Sequence, residues 1–290
     1  MTITEKVDTS TAPSSGGFLS RLCGAGTTTQ SQAKGPYTLI LIRHGESEWN
    51  IANKFTGWYD CPLSPEGVEE VIEAGKLIKA EGLEMDVAFT SMLKRAIVTL
   101  HHVLEQNDSL WIPVEKAWQL NERHYGGLTG LDKIKTVEKH GEEQVLIWRR
   151  SYDIPPPAAP KTSEYHPGND KRYSNLTFPD EFTETLATTL ERVLPYYENK
   201  IVPQLKAGKT VVVAAHGNSL RALVKHLDGI DEKTIPNLNI PTGVPLVYKL
   251  DENLDVIPSE VAMFPLRGRY LGDQDQIKAR IEGVQNQTKK

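Results

Sequence analysis

Two short apolar runs, each followed by a histidine and a glycine, constrain the fold of this chain most strongly. The first run, residues 37–42, leads through Arg43 into His44, and the second, residues 211–215, leads into His216. Runs of this kind are typical of buried strands in a parallel sheet. Because ligands of open α/β sheets bind at the carboxyl ends of the strands, the pattern predicts that both histidines face one pocket.

Strand-like and helix-like segments alternate from residue 37 onward, which favours an α/β fold with a three-layer arrangement, a mostly parallel central sheet and helices on both faces. Ser64 followed by Pro65 predicts the start of one helix. Ser91 is predicted to cap a second helix, and residues 182–199 are predicted to form a later one.

Composition divides the chain into three parts. Residues 1–36 are rich in Ser, Thr and Gly, which predicts a disordered N-terminal extension, with an organellar targeting segment as the alternative. Residues 37–272 form the predicted catalytic domain, and residues 273–290 form a C-terminal tail. Within the domain, residues 154–180 read as a long irregular excursion, which is typical of a functional cover or of disorder.

Charge and cysteine content exclude several classes of function. The formal net charge is -5, with no basic block, which argues against a nucleic-acid surface. An anionic substrate must then be held by a local cationic pocket. The two cysteines cannot form a disulfide framework and suit a reducing compartment, so we expect a cytoplasmic protein. No apolar stretch approaches the ~20 residues that span a bilayer.

His44 is the first candidate for catalysis. A neutral imidazole is a good nucleophile toward phosphorus near pH 7, because its unperturbed pKa is about 6.5. Arg43 beside it supports this interpretation, since a guanidinium binds phosphate oxygens bidentately. The alternative for His44 alone is an ordinary loop histidine.

Other charged residues have both functional and ordinary interpretations. Arg95 lies in the first turn of a predicted helix, where a cation is unfavourable unless an anion binds there or the side chain reaches solvent. Glu122 precedes a glycine turn, and in a phosphate pocket we expect its pKa to be raised, which suits an acid/base; the alternative is a surface ion pair. Arg149 and Arg150 end a helix, where cations are favoured anyway, so only a second anionic group on a substrate would give them a function.

Residues 41–50 resemble the signature of the histidine phosphatase superfamily and, more narrowly, that of the 2,3-bisphosphoglycerate-dependent phosphoglycerate mutases. Further matching segments follow in order, at residues 55–58, 91–96, 121–127, 148–150, 214–221 and 240–245. The resemblance covers roughly residues 37–250 and therefore implies the same α/β fold.

The resemblance also implies an activity and a set of site residues. His44 would become phosphorylated, Glu122 would be the acid/base, and Arg43, Arg95 and His216 would complete the catalytic set. The implied substrate-binding residues are Asn50, Thr56, Gly57, Tyr125, Lys133, Arg149, Arg150, Gly217 and Asn218. The reaction would interconvert 3-phosphoglycerate and 2-phosphoglycerate, primed by 2,3-bisphosphoglycerate and without a metal.

The resemblance leaves several questions open. It implies that the protein binds small-molecule phosphoglycerates and binds neither nucleic acid nor a membrane. It also implies a homodimer or a dimer of dimers. A phosphatase that uses the same His44 and a non-catalytic binding protein are the alternatives. Bisphosphoglycerate synthase activity is disfavoured, because synthases fill the position of Gly57 with a bulkier residue. Residues 256–270 form a longer link than usual, which puts in doubt a role of the tail as an active-site cover.

Overall fold

The structure, a computed structural model, describes residues 3–6 and 35–285. Its strands are β1 Thr4–Glu5, β2 Tyr37–Arg43, β3 Val87–Thr90, β4 Val114–Lys116, β5 Ala159–Pro160, β6 Leu176–Thr177, β7 Glu181–Phe182, β8 Val211–Ala215, β9 Pro245–Leu250, β10 Val256–Ile257 and β11 Arg269–Tyr270. Its helices are α1 Glu48–Ile51, α2 Pro65–Ala80, α3 Lys94–Gln106, α4 Lys133–His140, α5 Glu142–Arg150, α6 Leu186–Tyr196, α7 Val202–Lys206, α8 Gly217–Asp228 and α9 Gln274–Gln285.

The central sheet has seven strands in the order β10-β9-β2-β8-β3-β4, with β11 also paired to β9. The pairs β2–β8, β8–β3 and β3–β4 are parallel, whereas β9 runs antiparallel to β2. The predicted mostly parallel sheet is therefore confirmed. Because β2 and β8 are neighbours, their carboxyl ends lie side by side at the centre of the sheet.

Alternate side chains of the central strands enter two separate hydrophobic cores. Leu39 and Leu41 of β2 pack on one face with α6 and α8, and Ile40 and Ile42 pack on the other face with α2 and α3. Since successive residues of a strand point to opposite faces, an unbroken apolar run requires helices on both sides. This arrangement confirms the three-layer fold.

The helices begin and end partly as the sequence indicates. Ser64 caps α2 by accepting a hydrogen bond from the Gly67 amide, as predicted. The helix predicted from residue 182 is α6 and begins only at Leu186, because Thr185 caps it and Glu181–Phe182 pair with β5. The helix predicted to be capped by Ser91 begins at Lys94 and has no side-chain cap. In the described ranges, no helix is long and apolar enough to cross a membrane.

The chain ends differ in part from their predictions. Thr4–Glu5 of the extension pair with β6, so the described part of this segment is ordered against the excursion rather than disordered. Residues 7–34, the rest of the predicted disordered extension, lie outside the described residues. The described part of the tail forms α9, where Ile277 is buried in a hydrophobic core and Arg280 contacts Glu70 of α2. Among the described side chains of α9, none lines the pocket described below, and the tail as a cover stays a prediction.

A pair of glycines fixes the loop after β2 against the first turn of α2. A Cβ atom on Gly67 would collide with the main chain of Glu46, and one on Gly45 would collide with the carbonyl oxygen of Gly67. Neither collision can be relieved by a side-chain rotation, because the atoms met are main-chain atoms. The contact therefore sets where the chain beside His44 can lie.

We predict that Gly67→Ala lowers the free energy of unfolding by about 1–3 kcal/mol, the usual cost of overpacking, and lowers turnover by displacing the loop after His44. Urea unfolding and steady-state kinetics measure the two effects. Glu66→Ala is the matched control, since Glu66 is exposed in the same helical turn. Equal stability of the two variants would contradict the close approach.

Candidate active site

The His44 side chain lies where β2 ends and is held as a neutral imidazole. Its amide donates to the Ala215 carbonyl at 3.0 Å, which ties the ends of β2 and β8 together. Its Nδ1 lies 2.7 Å from the Gly45 carbonyl oxygen; a carbonyl only accepts, so Nδ1 carries the proton. Burial, followed by the charges of Arg95 and Arg43, holds the pKa of His44 well below its usual value. Nε2 therefore keeps a free lone pair at neutral pH.

His216 lies next to His44 but is not among the described residues that line the pocket. The two ring centroids are 5.0 Å apart, and burial, then the charge of Arg95, lowers the His216 pKa well below its usual value. Its Nε2 shares a hydrogen bond of 2.7 Å with the Ser91 hydroxyl. Ser91, predicted to be a helix cap, instead orients the second histidine.

The guanidinium groups of buried Arg95 and half-buried Arg43 are anchored by main-chain oxygens. Arg43 donates to the Ile240 carbonyl at 2.7 Å, and Arg95 donates to the carbonyls of Gly57 and Tyr59 at 2.8 Å. Burial lowers the pKa of both guanidinium groups. Within the described ranges neither Nε atom has an acceptor. A buried donor without a partner is costly, and an anion in the pocket is a suitable partner.

Glu122 is a buried carboxylate held by main-chain amides. Its Oε1 accepts from the amide of Arg123 at 2.7 Å and from the amide of Asn218 at 3.1 Å. The alternative of a surface ion pair is therefore wrong. The carboxylate and His44 line the same pocket, which places a proton acceptor beside the nucleophile.

A second group of cations lines the pocket, formed by Lys133, Arg149, Arg150 and Arg221. Burial, then the charges of Arg149 and Arg43, lowers the pKa of Lys133 to about 7. Burial and then neighbouring guanidinium groups also lower the pKa of Arg150 to about 10 and that of Arg221 to about 9. These shifts show cations that crowd one another in a buried place, where an anion would lower their energy.

The remaining predicted binding residues line the same cavity, which has a volume of about 90 Å³; they are Asn50, Thr56, Gly57, Tyr125, Gly217 and Asn218. Asn218 donates to the Tyr125 hydroxyl at 3.2 Å. Burial acts to raise the Tyr125 pKa, but the charge of Arg123 and the other neighbouring arginines outweigh it, so the pKa is lowered. Gly57 has φ of +52°, a region that favours glycine.

The structure adds residues that sequence reasoning missed. Lys54, Arg221 and the segment 238–240 also line the pocket. Arg221 lies inside the matching segment 214–221, which is the one signal that could have singled it out. Among the described lining residues there are seven Lys or Arg side chains and one carboxylate, Glu122. Within the same ranges no cluster of three His, Cys, Asp or Glu side chains could hold a metal ion.

We predict that the affinity for sulfate, a dianion throughout the range, falls by about an order of magnitude between roughly pH 7 and pH 8.5, because Lys133 then loses the proton that the bound anion favours. Titration calorimetry at several pH values measures this. Lys133→Arg keeps its charge and should remove most of the pH dependence.

Lys94→Arg, an exposed site outside the pocket, is the control and should behave as the wild type. The same pH dependence in Lys133→Arg and the wild type would refute the assignment to Lys133.

Comparison with known proteins supports the fold. The fold is similar to that of mycobacterial glucosyl-3-phosphoglycerate phosphatase, at 18% identity and a TM-score of 0.57, covering 81% of this chain and 96% of that one. It is also similar to the alpha-ribazole phosphatase from Shigella flexneri, at 18% identity and a TM-score of 0.59, covering 82% and 99%. The fold is also similar to that of Bacillus stearothermophilus YhfR, at 21% identity and a TM-score of 0.58, covering 76% of this chain and 94% of that one. Residues 39–166, which include His44, Arg95 and Glu122, match the family model described as histidine phosphatase superfamily (branch 1), and this match supports placing the chain in that superfamily.

Proposed function

We propose that this protein is a 2,3-bisphosphoglycerate-dependent phosphoglycerate mutase, which interconverts 3-phosphoglycerate and 2-phosphoglycerate through phosphorylated His44. The superfamily match supports phosphoryl transfer through a histidine. The choice of a mutase among such enzymes rests on the pocket and on the sequence resemblance.

The second cationic group is the observation that carries the proposal. Arg43 and Arg95 act on His44, whereas Lys133, Arg149, Arg150 and Arg221 form a further cluster in the same pocket. A phosphomonoester alone would be neutralised by the first pair. Four more cations suit a substrate with a second anionic group, as in a phosphoglycerate with its carboxylate, or in a bisphosphate.

The residues divide the chemistry between them. When a substrate hydroxyl group attacks phosphorylated His44, the bond from phosphorus to Nε2 breaks and Glu122 takes the hydroxyl proton. When Nε2 then takes the other phosphoryl group, the bond from phosphorus to the ester oxygen breaks and Glu122 returns that proton to the oxygen. Arg43 and Arg95 neutralise charge on the equatorial oxygens, which is the main requirement of phosphoryl transfer.

The residues present fit the primer that the proposal requires. The unpartnered Nε atoms of Arg43 and Arg95 and the crowded cations around Lys133 form two places for anionic groups. When bound, 2,3-bisphosphoglycerate supplies the phosphoryl group that charges His44. These side chains would hold its two phosphates and orient one of them toward Nε2.

A phosphatase is the second candidate. The structures named above include phosphatases, one of which acts on a phosphoglycerate ester by its printed name. With the same His44, water would then accept the phosphoryl group in place of a substrate hydroxyl. The second cationic group supports a phosphoglycerate-like substrate for either enzyme, and the sequence resemblance favours the mutase; product analysis separates the two.

Compartment and assembly complete the proposal. From the two cysteines and the resemblance, we propose a cytoplasmic protein that acts on free phosphoglycerates and forms a homodimer or a dimer of dimers. Fractionation and light scattering test these two points independently of the chemistry.

We predict that the protein converts 3-phosphoglycerate to 2-phosphoglycerate only after addition of 2,3-bisphosphoglycerate, because His44 must first be phosphorylated. The primed enzyme should carry an acid-labile, base-stable phosphate. His44→Ala should abolish both the label and turnover with an unchanged circular dichroism spectrum. The exposed His101 provides the control variant, His101→Ala, which should label normally.

The product decides between the candidates. Inorganic phosphate as the sole product would replace the mutase by the phosphatase. A phosphate on His216 in place of His44 would overturn the assignment of the nucleophile.

We predict that Glu122→Gln lowers kcat by about 10²–10⁴-fold, the usual value of general acid/base catalysis, with a smaller change in substrate affinity. The amide oxygen can still accept from the main-chain amides that hold the carboxylate, so the pocket keeps its shape. Rapid-quench measurement of phosphoryl transfer and a binding titration separate the two effects. Near-normal transfer would remove Glu122 from the mechanism.

A further inference from the structure

A buried ion pair lies beneath the segment that carries Glu122. Arg192 of α6 and Glu184 are both buried, and their side chains form two hydrogen bonds, of 2.7 Å from Nε and 2.9 Å from Nη2. Neither residue lines the pocket, and neither was singled out by the sequence patterns. Taking such a pair out of water is costly unless every hydrogen-bonding group is used.

Arg192 uses its remaining donors on the main chain around Glu122. Nη1 donates to the carbonyls of Gln119 and Asn121 at 2.6 and 2.9 Å, and Nη2 donates to the Glu122 carbonyl at 2.9 Å. With the two bonds to Glu184, these account for all five N–H donors of a guanidinium group. One side chain therefore fixes three carbonyls of a segment that has no sheet or long helix to hold it.

Glu184 and Trp58 complete the attachment. Glu184 accepts from the His124 amide at 2.7 Å, and its own amide donates to the His124 carbonyl at 3.0 Å. The Trp58 indole N–H donates to the Glu122 carbonyl, and its ring lies 5.5 Å from the Arg192 guanidinium. Arg192, Glu184 and Trp58 thus hold the main chain on both sides of Glu122, while the Glu122 carboxylate lies in the pocket.

We infer that Arg192, oriented by Glu184, is a positioning residue that sets the place of the Glu122 carboxylate relative to His44. The inference rests on the proposed acid/base role of Glu122. If the main chain shifts, Oε1 loses its contacts with the amides of Arg123 and Asn218, and the carboxylate leaves its place beside the reacting oxygen. Displacements of about 1 Å can cost ~10²-fold in rate.

The test separates the step that needs Glu122 from the step that does not, with p-nitrophenyl phosphate as the probe. In the first step Nε2 of His44 takes the phosphoryl group and p-nitrophenolate leaves without needing a proton. In the second step water attacks phosphorus, the P–N bond breaks, and Glu122 takes the proton of water. Stopped-flow measurement of p-nitrophenolate gives the first rate, and release of phosphate from isolated phosphoenzyme gives the second.

Arg192→Lys keeps the charge but has three N–H donors in place of five, too few for the three carbonyls and both Glu184 oxygens. It should slow the second step by roughly 10–100-fold while changing the first step little. Glu184→Gln should act in the same direction and less strongly. Val193→Ala is the matched control, since Val193 is buried in the sheet-facing core of the same helix. It should lower the thermal stability without changing the ratio of the two rates.

A second measurement distinguishes positioning from general loosening. In a Glu122→Gln background, Arg192→Lys should cause no further slowing, because the group it positions is already gone. Equal slowing of both steps, or multiplicative effects in the double variant, would overturn the inference. Neither the two step rates nor the double-variant comparison depends on whether 3-phosphoglycerate is isomerised. Failure of the proposed function would therefore be seen separately, in the product analysis.

Discussion

Buried positive charge is the condition on which the rest of this site depends. Cations crowded in a place of low dielectric raise one another's energy, and the lowered pKa values of Lys133, Arg150 and Arg221 express that cost. The fold accepts it because main-chain carbonyls, such as those of Gly57, Ile235 and Ile240, already accept hydrogen bonds from the guanidinium groups. An anion bound in the pocket would lower this energy, so the cost of burying these cations would be offset by anion binding.

The same field prepares the nucleophile. Burial, and then the charges of Arg95 and Arg43, lower the pKa of His44, so the histidine is held neutral. Its Nδ1 proton is directed to the carbonyl of the next residue, which leaves Nε2 for phosphorus. Arg43 and Arg95 therefore suit an anion in the pocket and add to the effect of burial in keeping the His44 lone pair available.

The sequence predicted the sheet because the strand patterns are local, whereas the family resemblance, and no local pattern, named most of the residues that line the pocket. Apolar runs identify β2 and β8, and a histidine that follows each run must lie at the carboxyl ends of these strands. Ser91 was wrongly interpreted as a helix cap because its partner, His216, lies 125 residues away and no local pattern shows it. Arg192 was missed for a related reason. On an amphipathic helix an arginine is ordinarily a surface residue, and only the tertiary structure brings five acceptors around it.

The excursion over residues 154–180 shows how the irregular part of the chain contributes. It was predicted to be a functional cover or disordered, yet it is ordered and none of its residues lines the pocket. It packs against the outer side of the segment that carries Glu122 instead: the Gly127 amide donates to the Pro157 carbonyl at 2.7 Å, and a His124 ring nitrogen lies 3.0 Å from the Tyr165 carbonyl oxygen. His44 owes its place to the sheet, whereas the carboxylate opposite it has no strand to hold it. The excursion on one side and Arg192 on the other give that carboxylate a support that regular secondary structure does not provide.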